Sequence, residues 1–370
     1  MIICIYLIEK ITKLYKKNII SFKFMNKIKS FNLFFILFFV FVIILYRDFL
    51  YTYRMQLENF LPYYHYQDQI IYYLTGDKSY DVEAPMNLRF LGLVVQYLIY
   101  QLIPCVELTA IKSNLSNMYT CATYSNALMN YFSLCAIASL MFVYTYKKKN
   151  FNLSSSILSV LFSIVFIIHL EAFTLDRIAV LYFMLILYFL DRKNISYFLI
   201  ILASLVNEKI IFMMCILFFI RWIFLKDRKY LNYFFAAMIS GITMILIFAL
   251  YSFYFKNGYW GQENPISLYN SIFVEGFGRM LKIFYYPKGI SGGLIPLLFC
   301  LFPYFLNHFF KIVKKNYSFS NYEFLIPLAL VIFGAGGGTS NIGRYVMYSF
   351  PLWVPILSLI IVALFNKQKL

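Results

Sequence analysis

The chain has 370 residues, 62% of them hydrophobic and 13% charged, with a formal charge of +17. Soluble domains average about 25% charged residues, so a water-soluble fold of this size has nowhere to hide so much apolar side chain. The positive charge does not point to nucleic acid. The Lys and Arg residues form short clusters at the ends of apolar runs, as cytoplasmic anchors on anionic lipid do, and no stacking platform or helix-turn-helix pattern accompanies them.

The expected fold is all-α, a single polytopic membrane domain with about ten transmembrane helices and both termini in the cytoplasm, since each crossing takes about 20 apolar residues. Residues 1–29 are basic and amphipathic, with Lys10, Lys13, Lys16, Lys17, Lys23, Lys27 and Lys29, and the positive-inside rule places them in the cytoplasm. Met25 is an alternative start. No small-residue cleavage site follows the first apolar run, so a cleaved signal peptide is not expected.

A helix over 30–46 then leads out. Residues 47–118 read as the first extracytoplasmic loop, and its polar part, 47–88, holds Asp48, Glu58, Asp68, Asp77, Asp81 and Glu83. Within this loop, 90–110 is partly apolar but interrupted by Gln96, Gln101 and Pro104. If it spans, Lys147 to Lys149 are stranded outside. If it only dips into the outer face, they fall inside with Asp191-Arg192-Lys193, Lys226 to Lys229, Lys311 to Lys315 and Lys367 to Lys369. At about 1 kcal/mol per Lys near an anionic surface, the dipping arrangement is favoured. The remaining crossings are expected at 119–146, 154–171, 177–191, 195–207, 209–225, 230–252, 291–313, 322–338 and 346–365, with a second large outer loop at 253–290. Segments 195–207 and 209–225 are short for full spans and meet at Asn207-Glu208-Lys209.

Six cysteines (4, 105, 121, 135, 215, 300) lie mostly in apolar runs without paired spacing and read as buried thiols. Three scattered histidines (65, 169, 308) build no zinc site. No cofactor is predicted, and the sequence does not indicate a divalent metal. The abundance of Ile, Phe, Tyr, Lys and Asn points to an AT-rich bacterial genome.

This topology delivers several charges to the outer face, where they persist if they are paired or line a wet cavity. Acids mixed with Arg and Lys suit an anionic substrate, because cations hold phosphate while an acid serves as base. Asp68 stands among Tyr64, His65, Tyr66 and Tyr72, either as a base in an aromatic setting or as a solvated acid in an interfacial belt. Arg89, in Pro85-Met86-Asn87-Leu88-Arg89, either snorkels or binds phosphate. Glu171, Asp176 and Arg177 fall in a short inter-helix gap, as ligands or as a staple closing the turn. Glu208-Lys209 is either a self-neutralising pair or a ligand site. The run from Gly334 to Arg344 has five glycines that let backbone approach a ligand, with Arg344 at its end; the alternative is a flexible loop or small-residue helix packing.

Taken together, a first-loop Asp near Tyr, a Pro-x-x-x-Arg before a partly apolar segment, a short turn with Asp, Ala203 to Lys209 with its Glu-Lys end, and a late Gly-rich turn with Arg resemble bacterial membrane proteins allied to the GT-C superfamily of glycosyltransferases. The resemblance runs from about 30 to 365. It implies sugar transfer from a polyprenyl-phosphate carrier to a glycan, lipid or protein acceptor outside the cytoplasm, at the bacterial inner membrane. Asp68 would be the general base, Arg89, Lys209 and Arg344 would hold the lipid phosphate, and Glu208 and Asp176 would orient acceptor or base. Glu171 and Arg177 complete the expected substrate-binding set. Two features depart from the family: Asp68 is followed by Gln69 rather than Gly or Asp, and no large soluble C-terminal domain is present. The competing readings are a surface-polysaccharide polymerase, a transporter or flippase, and a non-catalytic membrane protein. The larger outer loop comes early (47–118 against 253–290), which favours the transferase over the polymerase. No convincing inverted halves favour a transporter.

Overall fold

The computed structural model describes residues 28–58, 70–72, 74–76, 89–103, 117–168, 176–255, 295–310, 321–329 and 348–366, and all regular structure among them is helical. In chain order the helices are α1 (Ser30–Ile44), α2 (Tyr46–Glu58), α3 (Phe90–Leu102), α4 (Asn117–Val143), α5 (Leu153–Ile168) and α6 (Asp176–Phe189). They continue with α7 (Lys193–Leu202), α8 (Glu208–Leu225), α9 (Arg228–Phe255), α10 (Ile295–Phe310) and α11 (Phe350–Asn366). A π turn at Tyr144–Lys148 extends α4, and a 3-10 turn at Ala203–Leu205 extends α7.

Local sequence sets the breaks. Asn207 caps α8 by accepting the Lys209 N–H at 2.9 Å, and Asn152 does the same for α5 from Ser155 at 2.8 Å. Lys226 ends α8 in the left-handed conformation, with φ 54. Asp227 then caps the next helix through the Lys229 N–H at 2.8 Å.

α4 is the hub: α1, α2, α3, α5 and α6 all pack against it. A second group, α7, α8 and α9, joins through α6, while α10 and α11 lie on the α5 side, with Trp353 wedged between Phe166 and Phe299 at 4.9 and 5.8 Å. At Gly241 a Cβ would come within 3.3 Å of the Ile211 side chain, so the absence of a side chain there sets the approach of α9 to α8.

Among the described residues two helices, Thr120–Lys148 and Arg228–Ile247, are long and apolar enough to cross a membrane, and the bent α1–α2 pair makes a third if it is one span. α1 carries six phenylalanines and is apolar all round, a pattern stable only inside a core or in lipid. Large apolar side chains point outward along α1 and α9, among them Ile43, Phe39, Ile245 and Phe235.

Three of the basic clusters meet at one end of the bundle. Lys148 pairs with Asp191 at 2.9 Å, and Lys229 approaches the same carboxylate at 3.5 Å. Lys148 also donates to the carbonyls of Leu187, at 3.2 Å, and Tyr188, closing the C-terminus of α6. Burial opposes ionisation of Asp191, but the two lysines outweigh it and hold the carboxyl below the ordinary carboxylate range.

One sequence expectation gains detail and another is corrected. Residues 47–58, the first part of the expected outer loop, lie with Tyr46 in a helix: Tyr46, Phe49 and Tyr53 recur at i, i+3 and i+7, and Phe49 and Tyr53 face Tyr124 and Tyr131 of α4. Cys121, read as a buried thiol, is disulfide-bonded. The other described cysteines, Cys135, Cys215 and Cys300, are free.

Candidate functional site

At Leu45 the axis from α1 to α2 bends by 52°. The Tyr131 hydroxyl donates to the Val42 carbonyl just before the break. Beyond it, Asp48 comes to lie against the first turn of α6, where its Oδ2 meets Arg177 Nη1 at 3.4 Å. Asp48 and Arg177 are 129 residues apart. The Arg177 side chain is 1% exposed and that of Asp48 14%. Arg177 Nε is buried and finds no hydrogen-bond partner among the described residues. Among the described residues the carboxylate that Arg177 meets comes from α2, while the staple reading involves Glu171 and the Asp176 side chain, which lie outside them.

The pair sits about midway along α4. Arg177 precedes Leu187 by ten residues, about 15 Å of helix at 1.5 Å per residue, and the Leu187 carbonyl touches the basic end. The side chains of Leu93, Met129 and Ile178 cluster together, which brings α3, α4 and α6 to one level. Arg89 is four residues before Leu93, at the N-cap of α3, and is 5% exposed. Thus two buried arginines stand at the N-termini of two helices that reach the same stretch of α4. Cations at helix N-termini add to the dipole's positive end rather than offsetting it, so the electrostatics favour an anion.

α4 presents a polar face toward α3 on the side away from the basic end. Gln96 donates to the Ala122 carbonyl at 3.3 Å and accepts from Asn126 at 3.4 Å. Asn130 donates to the Asn126 carbonyl and side-chain oxygen at 3.1 and 3.0 Å. Asn130 Oδ1 and Thr123 Oγ1 are buried with no hydrogen-bond partner among the described residues. Such an amide ladder suits a hydroxyl-rich ligand, and it also fixes the register of α3 on α4.

A further buried cation stands at the α7–α8 tip. Lys209, 8% exposed, lies over the Tyr348 ring at 5.4 Å, so this tip reaches the chain just ahead of α11. Asn207 beside it is 1% exposed, and its amide nitrogen has no hydrogen-bond partner among the described residues.

Of the residues singled out from sequence, Arg89, Arg177 and Lys209 are buried cations at helix starts. Asp176 and Glu208 open α6 and α8. Asp68, Glu171 and Arg344 lie outside the described residues. Asp48 is one of the loop acids and not one of the expected site residues; the aromatic spacing of Tyr46, Phe49 and Tyr53 is the signal in the sequence that places it on a helix facing inward. Among the described residues no three His, Cys, Asp or Glu side chains gather as a metal set.

No protein-family model matches this chain, and neither a curated protein nor a solved structure matches it.

Proposed function

We propose that this chain is a multi-pass membrane glycosyltransferase, taking sugar from a polyprenyl-phosphate carrier on the extracytoplasmic face of the bacterial inner membrane. The acceptor is a glycan, lipid or protein. The outward apolar side chains of α1 and α9 support a lipid surround. The reading takes about ten spans with both termini cytoplasmic and segment 90–110 dipping from outside; the two long apolar helices and the bent α1–α2 pair support membrane crossing among the described residues. Gathering of Lys148, Asp191 and Lys229 at one end supports a cytoplasmic assignment for that end. The disulfide of Cys121, toward the start of α4, supports an oxidising compartment at the other.

The observation that carries the reading is the pair of buried arginines, Arg89 and Arg177, at helix starts midway along α4. Charge at that depth is costly and marks function by default. In the proposed reaction an acceptor hydroxyl attacks the anomeric carbon, its proton goes to a carboxylate, and the bond from the anomeric carbon to the phosphate oxygen breaks. The departing polyprenyl phosphate gathers negative charge, which Arg89, Arg177, Lys209 and Arg344 stabilise as preset cations. Asp68 takes the acceptor proton, while Glu208 and Asp176 orient acceptor or base. Glu171 belongs to the same outer set.

The test is transfer of radiolabelled sugar from polyprenyl phosphate by the purified chain in proteoliposomes. Wild type transfers label, and Arg89→Gln lowers kcat by about 100-fold, the usual loss of one charge-stabilising donor. The break at Ala203–Leu205, followed by a helix start with Lys209, also fits a second reading, transport of an anionic lipid through half-helices. Movement of labelled anionic lipid across the proteoliposome membrane without sugar transfer overturns the transferase in favour of that reading.

A further inference from the structure

The Asp48–Arg177 pair has the form of a contact built to open. A buried guanidinium held for stability alone gains most from two parallel bonds to its carboxylate and from partners on its remaining donors. Here a single nitrogen, Nη1, makes one long contact of 3.4 Å, and Nε stays buried with no hydrogen-bond partner among the described residues. The two residues also differ in access, 1% exposed for Arg177 against 14% for Asp48, so of the pair it is the aspartate that meets solvent. Asp48 is carried on α2, whose axis departs from α1 by 52° at Leu45. α2 stays packed on α4 through Phe49 and Tyr53, so the exchange needs only the Asp48 side chain to turn away from Arg177. Asn130 Oδ1, also without a hydrogen-bond partner, and the amide ladder lie along the adjoining face of α4.

We propose that Asp48 is the resident counter-ion of the anion site: its carboxylate holds Arg177 while the site is empty and yields to the phosphate of a lipid-linked ligand. This rests on the reading that the ligand carries a phosphate. The exchange changes no covalent bond: the phosphate takes the place of the carboxylate on the same cation, and the displaced Asp48 carboxylate, 14% exposed, turns to solvent. Asp48 is thereby a positioning residue. It keeps Arg177 extended into the site, and it lowers apparent affinity by the fraction of time that it occupies the arginine.

The experiment uses the full chain in nanodiscs and a short-chain polyprenyl monophosphate as the probe. Wild type binds it, Asp48→Asn binds it about tenfold more tightly because the internal competitor is gone, and Arg177→Lys binds it at least about tenfold more weakly. Equal or weaker binding by a folded Asp48→Asn overturns the counter-ion role while leaving the transferase reading intact. No binding by wild type overturns both. Should Asp48→Asn fail to fold, the wild-type chain with isotope-labelled aspartate answers the question. Adding the probe must shift an aspartate carboxylate stretch in the infrared difference spectrum, and an unshifted spectrum overturns the exchange.

Discussion

Asp191 and Asp48 each pair with a basic side chain from a distant part of the chain, yet their surroundings are opposite. The Asp191 side chain is 73% exposed and shared between Lys148 and Lys229. Asp48 is 14% exposed and meets an arginine that is 1% exposed. Unit charges about 4 Å apart attract by about 1 kcal/mol in bulk water and about 4 kcal/mol at the effective dielectric of a protein. The exposed cluster therefore works as an anchor whose parts are interchangeable. The buried pair holds two charges largely shielded from water, which is why it marks the candidate site and the lysine cluster does not.

Removing one partner of the buried pair is expected to have the largest effect. Arg177→Met leaves the Asp48 carboxylate without its cation and should cost about 3–5 kcal/mol, seen as a lower midpoint of thermal unfolding in detergent. The double variant Asp48→Leu with Arg177→Met should recover most of that loss, since a well-packed apolar pair replaces a buried ion pair at little cost. A double variant as unstable as the single one would show that the charges are not paired in the native bundle.

The polar ladder comes next. Gln96→Leu removes the donor to Ala122 and the acceptor for Asn126 and should cost about 1–3 kcal/mol, read by the same melt. An unchanged midpoint would mean that α3 is held on α4 by its apolar contacts alone.

The exposed cluster should respond least. Lys148→Ala is expected to lose no more than about 1 kcal/mol through the ion pair, plus the bonds that it gives to the Leu187 and Tyr188 carbonyls. Raising the salt concentration should erase the first part and spare the second. Because the Asp191 carboxyl is held down in the folded state, its contribution is present above the unfolded value, about 3.9, and fades as pH falls through the lower folded value. Titrating the melting midpoint of wild type and Asp191→Asn should therefore give curves that differ above that range and merge below it.

Much of the helix pattern was legible because apolar runs and lysine clusters are local signals. The short segments around Asn207 were readable as a broken pair from length alone, and the structure breaks there, at Ala203–Leu205 with Asn207 as cap. The site was only partly legible. Arg89, Arg177 and Lys209 stood out because charges are rare in such a sequence, but which carboxylate meets Arg177 depends on the bend at Leu45 and on the face that α2 turns to α4. Neither is written in spacing along the chain near Arg177. Asp48 is hidden for the same reason: polar residues around it, such as Arg47 and Arg54, mask the aromatic face that Tyr46, Phe49 and Tyr53 form. The disulfide of Cys121 escaped because apolar neighbours make a half-cystine and a buried thiol look alike.

The most direct test contrasts the two regions in one measurement. A polyprenyl phosphate carrying a photoreactive group beside its phosphate is bound to the wild-type chain in nanodiscs, irradiated, and the labelled peptides are mapped by mass spectrometry. The account predicts label at the starts of α3 and α6, around Arg89 and Arg177, with labelling competed by unmodified polyprenyl phosphate. Label confined to the lysine-rich end, around Lys148 and Lys229, would contradict it and leave the buried pair as a structural contact.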